Sequence, residues 1–166
     1  MGMPQSFNPK NPRNMKYFTL RELTKSDTAI RKGIDNTPSG LVRSRLTELV
    51  ANVLDPLREA YGKPIRVTSG YRCAKLNKIV GGAARSAHMY GYAADITTIP
   101  DTFKDNKKLF DLILSQKLPF DKLIWEMGND AGPDWIHISY VAGANRKQIL
   151  RARRTANGTT YETYKP

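Results

Sequence analysis

The chain has 166 residues, enough for one compact domain with short tails but too few for two domains with sizeable cores. No apolar run approaches the roughly 20 residues needed to cross a bilayer, so no membrane span is expected. The single cysteine, Cys73, excludes an internal disulfide, and no Cys/His cluster of the thiolate-zinc kind is present. Any bound metal must therefore be held by histidines and carboxylates.

The net charge of +12 indicates an anionic partner, such as nucleic acid, an acidic membrane or a bacterial wall polymer. The excess lies mainly at the chain ends, since residues 146–166 alone hold six basic residues and one acidic residue. No recognition helix, zinc finger or RNA-binding motif concentrates the basic side chains. We therefore expect no specific nucleic-acid partner and favour a wall or surface polymer.

The first 15 residues are rich in Pro, Asn, Ser and Gly, and they cannot bury enough apolar surface to order themselves. They are interpreted as a flexible leader, and the folded domain is expected to span residues 16–166. No apolar stretch followed by a small-residue cleavage site occurs in the first thirty residues. A signal peptide is therefore not expected.

The first predicted elements are helical. Thr19, followed three residues later by Glu22, is typical of a capping box that opens a short helix. Residues 39–61 carry apolar side chains at helical spacing and are the predicted main core helix, kinked or divided at Pro56. A strand at 65–68, a tight turn at 69–72 and a short helix at about 73–80 follow.

Strands dominate the rest of the chain. They are predicted at about 92–97, 120–127 and 134–141, with a helix at 101–116 after the first of them. Segments 148–154 and 159–164 flank Asn157-Gly158, which is a strong hairpin signal. The order of elements predicts an α+β fold with a small, mainly antiparallel sheet, flanking helices and a C-terminal β-hairpin.

Both histidines of the chain lie in motifs that also hold a carboxylate. His88 precedes Asp95 by seven residues, with Gly91 between them permitting a sharp turn. Asp134 stands three residues before His137 in an extended segment. Each residue alone has a simpler interpretation as a packed or surface side chain. Two histidines and one carboxylate, with one position left open for water, form the ligand set of a catalytic zinc.

Two motifs contain these residues: Ser86-x-His88-x-x-Gly91-x-Ala93-x-Asp95 and Asp134-Trp135-x-His137. Together they resemble the signature of the zinc D-Ala-D-Ala peptidase family. That family includes D-alanyl-D-alanine carboxypeptidases and dipeptidases, L-alanyl-D-glutamate endopeptidases and phage endolysins, and its fold is shared with the hedgehog signalling domain. The resemblance covers roughly residues 17–166, including the closing hairpin.

The resemblance implies that His88, Asp95 and His137 bind Zn²⁺ and that Asp134 is the general base. A carboxylate three residues from His137 can take a proton from the attacking water and pass it to the leaving amine. Glu126, a second carboxylate near a strand end, remains the alternative base. The carboxypeptidase and dipeptidase branches usually carry Glu where this chain has Asp134, whereas Asp is nearer to the endolysin-type endopeptidases.

Substrate contacts are expected beside the turn at 69–72. The resemblance makes Arg72 a contact to the substrate and the transition state, and it places Ser86 in the substrate subsite. The planar guanidinium of Arg72 suits an anionic tetrahedral intermediate or a peptide carboxylate. Tyr71 is expected to line the cleft, although an aromatic residue beside a turn commonly covers the core.

These features predict a zinc metallopeptidase that hydrolyses peptidoglycan stem peptides, of D-Ala-D-Ala carboxypeptidase or L-Ala-D-Glu endopeptidase type, for bacterial cell-wall degradation. The expected lack of a signal peptide favours a phage-encoded protein made in the host cytoplasm and acting at the wall or in the virion. A monomer is expected, although the sequence does not establish the oligomeric state. One alternative is a catalytically silent zinc-containing wall-binding or structural module, against which Asp134 and Arg72 argue. A basic nucleic-acid-binding protein is the other, and it predicts salt-dependent DNA affinity without metal.

Overall fold

The computed structural model describes residues 15–166, so nearly all of the predicted leader lies outside the described residues. The helices are α1 (Leu20–Thr24), α2 (Asp27–Lys32), α3 (Gly40–Leu49), α4 (Asp55–Tyr61), α5 (Ala74–Ile79) and α6 (Phe103–Ser115). The strands are β1 (Ile65–Ser69), β2 (Ala93–Thr98), β3 (Lys122–Glu126), β4 (Trp135–Ser139), β5 (Gln148–Thr155) and β6 (Gly158–Thr163). In this part of the chain, every helix is too short or too polar to cross a bilayer.

The strands form one six-stranded sheet in the order β1-β2-β4-β3-β5-β6. Neighbouring strands are antiparallel except β3 and β5, which run parallel. β5 and β6 form a C-terminal hairpin whose two-residue turn, Ala156-Asn157, lies between the paired residues Thr155 and Gly158. The predicted α+β fold with a mainly antiparallel sheet is thereby confirmed.

The predicted capping box opens α1. The Thr19 hydroxyl accepts a hydrogen bond from the Glu22 backbone N–H, and the Glu22 carboxylate accepts one from the Thr19 N–H at 2.8 Å. The predicted core helix is one continuous helical segment, in which a π-helical turn (Val50–Leu54) joins α3 to α4. Pro56 stands at the start of α4, directly after this turn. The wider turn therefore accommodates the proline, where the sequence predicted a kink or a division.

The two faces of the sheet have different partners. Alternate residues of the central strands point into a core shared with α3, α4 and α6, and this core contains Ile96, Ile136 and Trp125. Because side chains alternate along a strand, the residues between them point to the opposite face. We call this second surface the site face, and it carries Asp95 and His137.

Candidate metal centre

Asp95 and His137 are brought together by strand pairing. They stand directly opposite each other in the antiparallel register of β2 and β4. Directly opposite residues have their Cβ atoms about 5 Å apart on one face, close enough for two side chains to share a ligand. The register therefore fixes two of the three predicted metal ligands without any loop.

His88 reaches the same point from a short 3₁₀ turn (Ala87–Tyr90). Ser86 caps this turn, since its hydroxyl accepts a hydrogen bond from the His88 N–H at 3.3 Å. Gly91 ends the turn with φ +76°, a left-handed conformation that glycine adopts without strain. The chain then reverses into β2, as the spacing between His88 and Asp95 predicted.

Three potential donor atoms converge at this point. The distances are 3.2 Å from His88 Nε2 to His137 Nδ1, 3.2 Å from His88 Nε2 to Asp95 Oδ1, and 3.0 Å from His137 Nδ1 to Asp95 Oδ1. Ligands at zinc–nitrogen distances of about 2.0–2.1 Å in a tetrahedron are separated by about 3.3 Å. The three predicted ligands therefore fit a tetrahedral zinc with one position open.

The protonation of His88 is fixed by a backbone carbonyl. His88 Nδ1 lies 2.7 Å from the Gly70 carbonyl oxygen, which can only accept, so Nδ1 carries the proton. Nε2 is then left with its lone pair toward the other two donors. Such a hydrogen bond to the outer nitrogen of a metal-binding histidine orients the ring and raises its basicity.

Opposing effects act on Asp95. Burial alone would raise the pKa of its carboxyl group, but electrostatic and hydrogen-bonding interactions with the His88 and His137 rings outweigh burial and hold the pKa well below its usual range. The carboxylate is consequently ionised at neutral pH. It supplies the one negative charge of the donor set.

Arg72 lies on the turn beyond β1, beside the metal ligands. The backbone N–H of Arg72 donates to the backbone carbonyl of His88 at 3.2 Å. The Arg72 guanidinium lies 3.5 Å from the Ser86 hydroxyl, at the limit of a hydrogen bond. Burial lowers the pKa of Arg72, and the charge of Asp95 partly opposes this effect. The buried Nε has no hydrogen-bond partner among residues 15–166. Arg72 therefore retains donor capacity for a ligand.

A cleft of about 980 Å³ opens beside these residues and runs between β1 and the segment that contains α1 and α2. Asp95, Arg72 and Tyr71 are among its lining residues. Tyr71 is held by its backbone, since its N–H donates to the Leu23 carbonyl at 2.6 Å and its carbonyl accepts from Asn36 at 3.0 Å. Tyr71 therefore lies in the cleft wall while also packing against the core.

The predicted base Asp134 stands immediately before β4 and is exposed. Its N–H donates to the Glu126 carbonyl at 3.0 Å, and its own carbonyl accepts from Asn106 at 3.1 Å. It lines a second cavity, of about 650 Å³, together with Trp135 and other residues. Within residues 15–166 its carboxylate forms no hydrogen bond to the three metal ligands.

The alternative base Glu126 is buried on the site face. Glu126 is opposite Trp135, and Ile124 is opposite His137, so Glu126 is one diagonal step from a metal ligand. Burial raises the pKa of Glu126 to about 7, with His137 lowering it and Asp95 raising it further. A carboxyl group with this pKa is suited to proton transfer near neutral pH.

Two contributions were missed from the sequence. The Gly70 carbonyl that orients His88 lies in the turn at 69–72, whose main-chain partners no local pattern indicates. Tyr161 of β6 is on the site face, because it is opposite Ala152, which is opposite Glu126. Tyr161 reaches the site face because β5 pairs in parallel with β3. The sequence of β6 indicates only that every second residue of this strand shares a face with Tyr161.

Comparisons with known proteins agree with this site. A family model described as Peptidase M15 matches residues 16–139. A relative, the zinc D-Ala-D-Ala carboxypeptidase of Streptomyces albus G, is 52% identical over 44 residues, a segment covering 26% of this chain and 17% of the relative. Together with the three converging donors, these matches confirm the predicted family and the predicted zinc. The chain belongs to the Peptidase M15 family.

Proposed function

We propose that the chain is a zinc metallopeptidase that hydrolyses peptide bonds in peptidoglycan stem peptides. The observation that carries this proposal is the set of three donors, 3.0–3.2 Å apart, beside a cleft that Asp95 lines. The name of the Streptomyces relative supports a wall-peptide substrate. Both a D-Ala-D-Ala carboxypeptidase and an L-Ala-D-Glu endopeptidase are compatible with this site.

In this proposal His88, Asp95 and His137 hold the metal. Bound zinc lowers the pKa of water and polarises a scissile carbonyl. The donor set of two neutral imidazoles and one carboxylate leaves the site with net positive charge, which suits both effects. The Gly70 carbonyl keeps the His88 proton on Nδ1, so that Nε2 faces the metal position.

Arg72 binds the anionic part of the substrate or of the transition state. Its guanidinium is held beside the ligands by its backbone bond to His88, and its Nε–H is unpaired among the described residues. A preorganised donor aimed at developing negative charge is the usual source of transition-state stabilisation in peptide hydrolysis. Ser86, next to the guanidinium, lines the same subsite.

Asp134 accepts the proton of the attacking water and returns it to the leaving amine, with Glu126 as the alternative base. Support for Asp134 comes from its exposed position immediately before the ligand strand, three residues from His137. Support for Glu126 comes from its place on the site face and its pKa of about 7. Substitution of each carboxylate decides between them.

The cellular role that we propose is degradation of bacterial cell walls by a phage-encoded protein, released at lysis or carried in the virion. The C-terminal hairpin (β5 and β6) offers fewer unpaired positive charges for binding an anionic wall than its basic sequence indicates. Arg151 stacks on Trp125 at 5.0 Å and pairs with Asp130, and Arg153 pairs with Glu162. Attraction to an anionic envelope is therefore assigned to the net charge of the chain rather than to this hairpin alone.

The decisive experiment is digestion of purified peptidoglycan with the zinc-loaded protein, followed by mass spectrometry of the new termini. New D-glutamate amino groups identify an endopeptidase, and released D-alanine identifies a carboxypeptidase. A chelator should stop the reaction, and the His137→Ala variant should be inactive. Wall binding without any new terminus would overturn the proposal in favour of the catalytically silent module.

A further inference from the structure

The C-terminal hairpin extends the site face beyond the part of the chain that matches the family model. That match ends at residue 139, whereas β5 and β6 follow at Gln148–Thr155 and Gly158–Thr163. Because β5 pairs with β3, the hairpin is an integral part of the sheet that carries the metal ligands. Its side chains on the site face can therefore take part in substrate binding.

The strand register places Tyr161 in the same cross-strand row as Glu126. Glu126 is opposite Ala152 of β5, and Ala152 is opposite Tyr161 of β6, so the three residues form one row on the site face. The backbones of β3 and β6 are about 10 Å apart, two spacings of about 4.8 Å. Ala152 contributes only a methyl group and is fully buried, so the two longer side chains can meet above it.

Electrostatic coupling agrees with this geometry. Burial raises the pKa of the Tyr161 hydroxyl, and the charges of Glu126 and Asp95 raise it further. The phenol is therefore within electrostatic range of both carboxylates, although it forms no hydrogen bond with either. The side chain of Tyr161 is still 57% exposed, which leaves it accessible to a ligand.

Glu126 lacks a partner in the described part of the chain. The residue is 7% exposed, and its carboxylate oxygens retain some contact with solvent but form no hydrogen bond or salt bridge with another residue among 15–166. A largely buried carboxyl group that forms no hydrogen bond with the protein is costly, and a bound ligand can supply the missing contact. An N–H group of a bound peptide could donate hydrogen bonds to both the Glu126 carboxylate and the Tyr161 hydroxyl oxygen.

We infer that Tyr161 and Glu126 form a substrate subsite on the β6 side of the metal ligands, which binds an N–H group of the peptide. The inference rests on the proposed function, because the ligand is the peptide cleaved at the zinc centre. Arg72 stands on the opposite side of the ligands, beyond β1, so a peptide lying across the strands contacts both regions.

Tyr161 is a contact for substrate binding and not for the reacting bond. Its strand is three spacings from β4, which carries His137, a backbone distance of about 14 Å. The hydroxyl therefore meets a substrate residue away from the scissile bond. Its loss should raise KM and leave kcat nearly unchanged, because the contact is equal in the ground state and the transition state.

The test is Tyr161→Phe, measured with zinc-loaded protein and a soluble stem peptide. Loss of one hydrogen bond should raise KM about three- to tenfold, with zinc content unchanged. Tyr164→Phe is the matched control, since Tyr164 is on the same hairpin but packs against Phe110 and Trp125 in the core. An unchanged KM in Tyr161→Phe, or an equal rise in both variants, would overturn the inference.

The N–H group can come from a side-chain amine or from a backbone amide of the peptide, and a peptide acetylated on its side-chain amine distinguishes the two. If the ligand is an amine, acetylating the side-chain amine of the peptide should remove the effect of Tyr161→Phe. If it is a backbone amide, the effect should persist, and both results support the subsite. In addition, the carboxyl ¹³C resonance of Glu126 should shift in Tyr161→Phe and not in Tyr164→Phe, without any substrate.

The outcomes distinguish this subsite from the proposed function. A wild-type protein that cleaves no wall peptide overturns the function and, with it, the substrate role of Tyr161. A wild-type protein that cleaves peptide while Tyr161→Phe retains its KM overturns the subsite alone. An unmoved Glu126 resonance in Tyr161→Phe overturns the pairing of the two side chains whatever the kinetics show.

Discussion

The Gly70 carbonyl oxygen lies 2.7 Å from Nδ1 of His88, so the turn after β1 determines which nitrogen of this predicted ligand faces Asp95 and His137. Gly70 is also packed against α1, since a Cβ at this position would overlap the backbone of Leu23. One glycine therefore joins the packing of the first helix to the orientation of a metal ligand. Substitution of Gly70 should disturb both together.

Gly70→Ala is the first prediction. The added methyl group must push the backbone of α1 away, which should cost about 1–3 kcal/mol of stability by overpacking. The displaced carbonyl should also weaken zinc binding about tenfold or more, as loss of such an orienting bond does. Thermal unfolding and zinc titration measure the two effects. Gly40→Ala is the control, because a Cβ there meets nothing within 4 Å, so this variant should not lose stability and should bind zinc as wild type does.

His137→Ala tests the metal centre directly. The wild-type protein should bind about one zinc per chain, and this variant should lose tight binding because two remaining ligands do not hold an open tetrahedral site. Added zinc should raise the melting temperature of metal-free wild type by mass action, and it should leave that of the variant unchanged. Elemental analysis and calorimetry give both readouts. Equal zinc content in the two proteins would contradict the ligand assignment.

The titration of Glu126 provides a pH-dependent prediction for the metal-free protein. Burial raises its pKa from 4.5 to about 7, so between these values the folded chain binds more protons than the unfolded chain. The stability contributed by the neutral carboxyl group is thus fully present below about pH 4.5 and is lost as pH rises through 7. Relative to Glu126→Gln, wild type should lose up to about 3 kcal/mol over this interval.

Denaturant unfolding at several pH values measures that difference. Comparing the pH slopes of the two proteins removes the contributions of the other titrating groups, including the metal ligands. Glu59→Gln is a suitable control, since Glu59 is exposed and is paired only with Lys16. Parallel stability curves for wild type and Glu126→Gln would show that Glu126 is not buried as an uncompensated carboxyl group.

The convergence of His88, Asp95 and His137 was predictable because its signal is local. His88 and Asp95 stand on either side of one turn, with a glycine in the position that the reversal requires. Asp134 and His137 lie within one short segment of sequence. Asp95 and His137 share one face of the sheet because β2 and β4 pair in antiparallel orientation and their side chains alternate between the two faces.

Other features depend on contacts between distant segments, which sequence periodicity does not encode. The parallel pairing of β3 with β5 places Tyr161 on the site face. No local sequence pattern distinguishes the observed strand order from other possible orders. α2 was missed because its six residues bury only Ala29, too little for a recognisable apolar stripe. The π-helical turn before Pro56 was likewise unexpected, since the sequence indicated only that regular bonding would fail there.

Three carboxylate variants separate the base from the ligand. Asp134→Asn keeps the shape of the side chain but cannot accept the proton of the attacking water, so kcat should fall by about 10²–10⁴ with zinc content unchanged. Asp95→Asn removes the anionic ligand, so its zinc affinity should fall and excess zinc should restore part of its activity. Glu126→Gln should mainly raise KM if Glu126 belongs to the Tyr161 subsite.

The pattern across these variants decides between the two candidate bases. If Glu126→Gln abolishes turnover with zinc retained while Asp134→Asn remains active, Glu126 is the base and Asp134 is a residue of the turn before β4. A kcat loss confined to Asp134→Asn, with a KM rise in Glu126→Gln matching that of Tyr161→Phe, supports both the base and the subsite. Zinc content must be measured in every variant, because only Asp95→Asn is expected to change it.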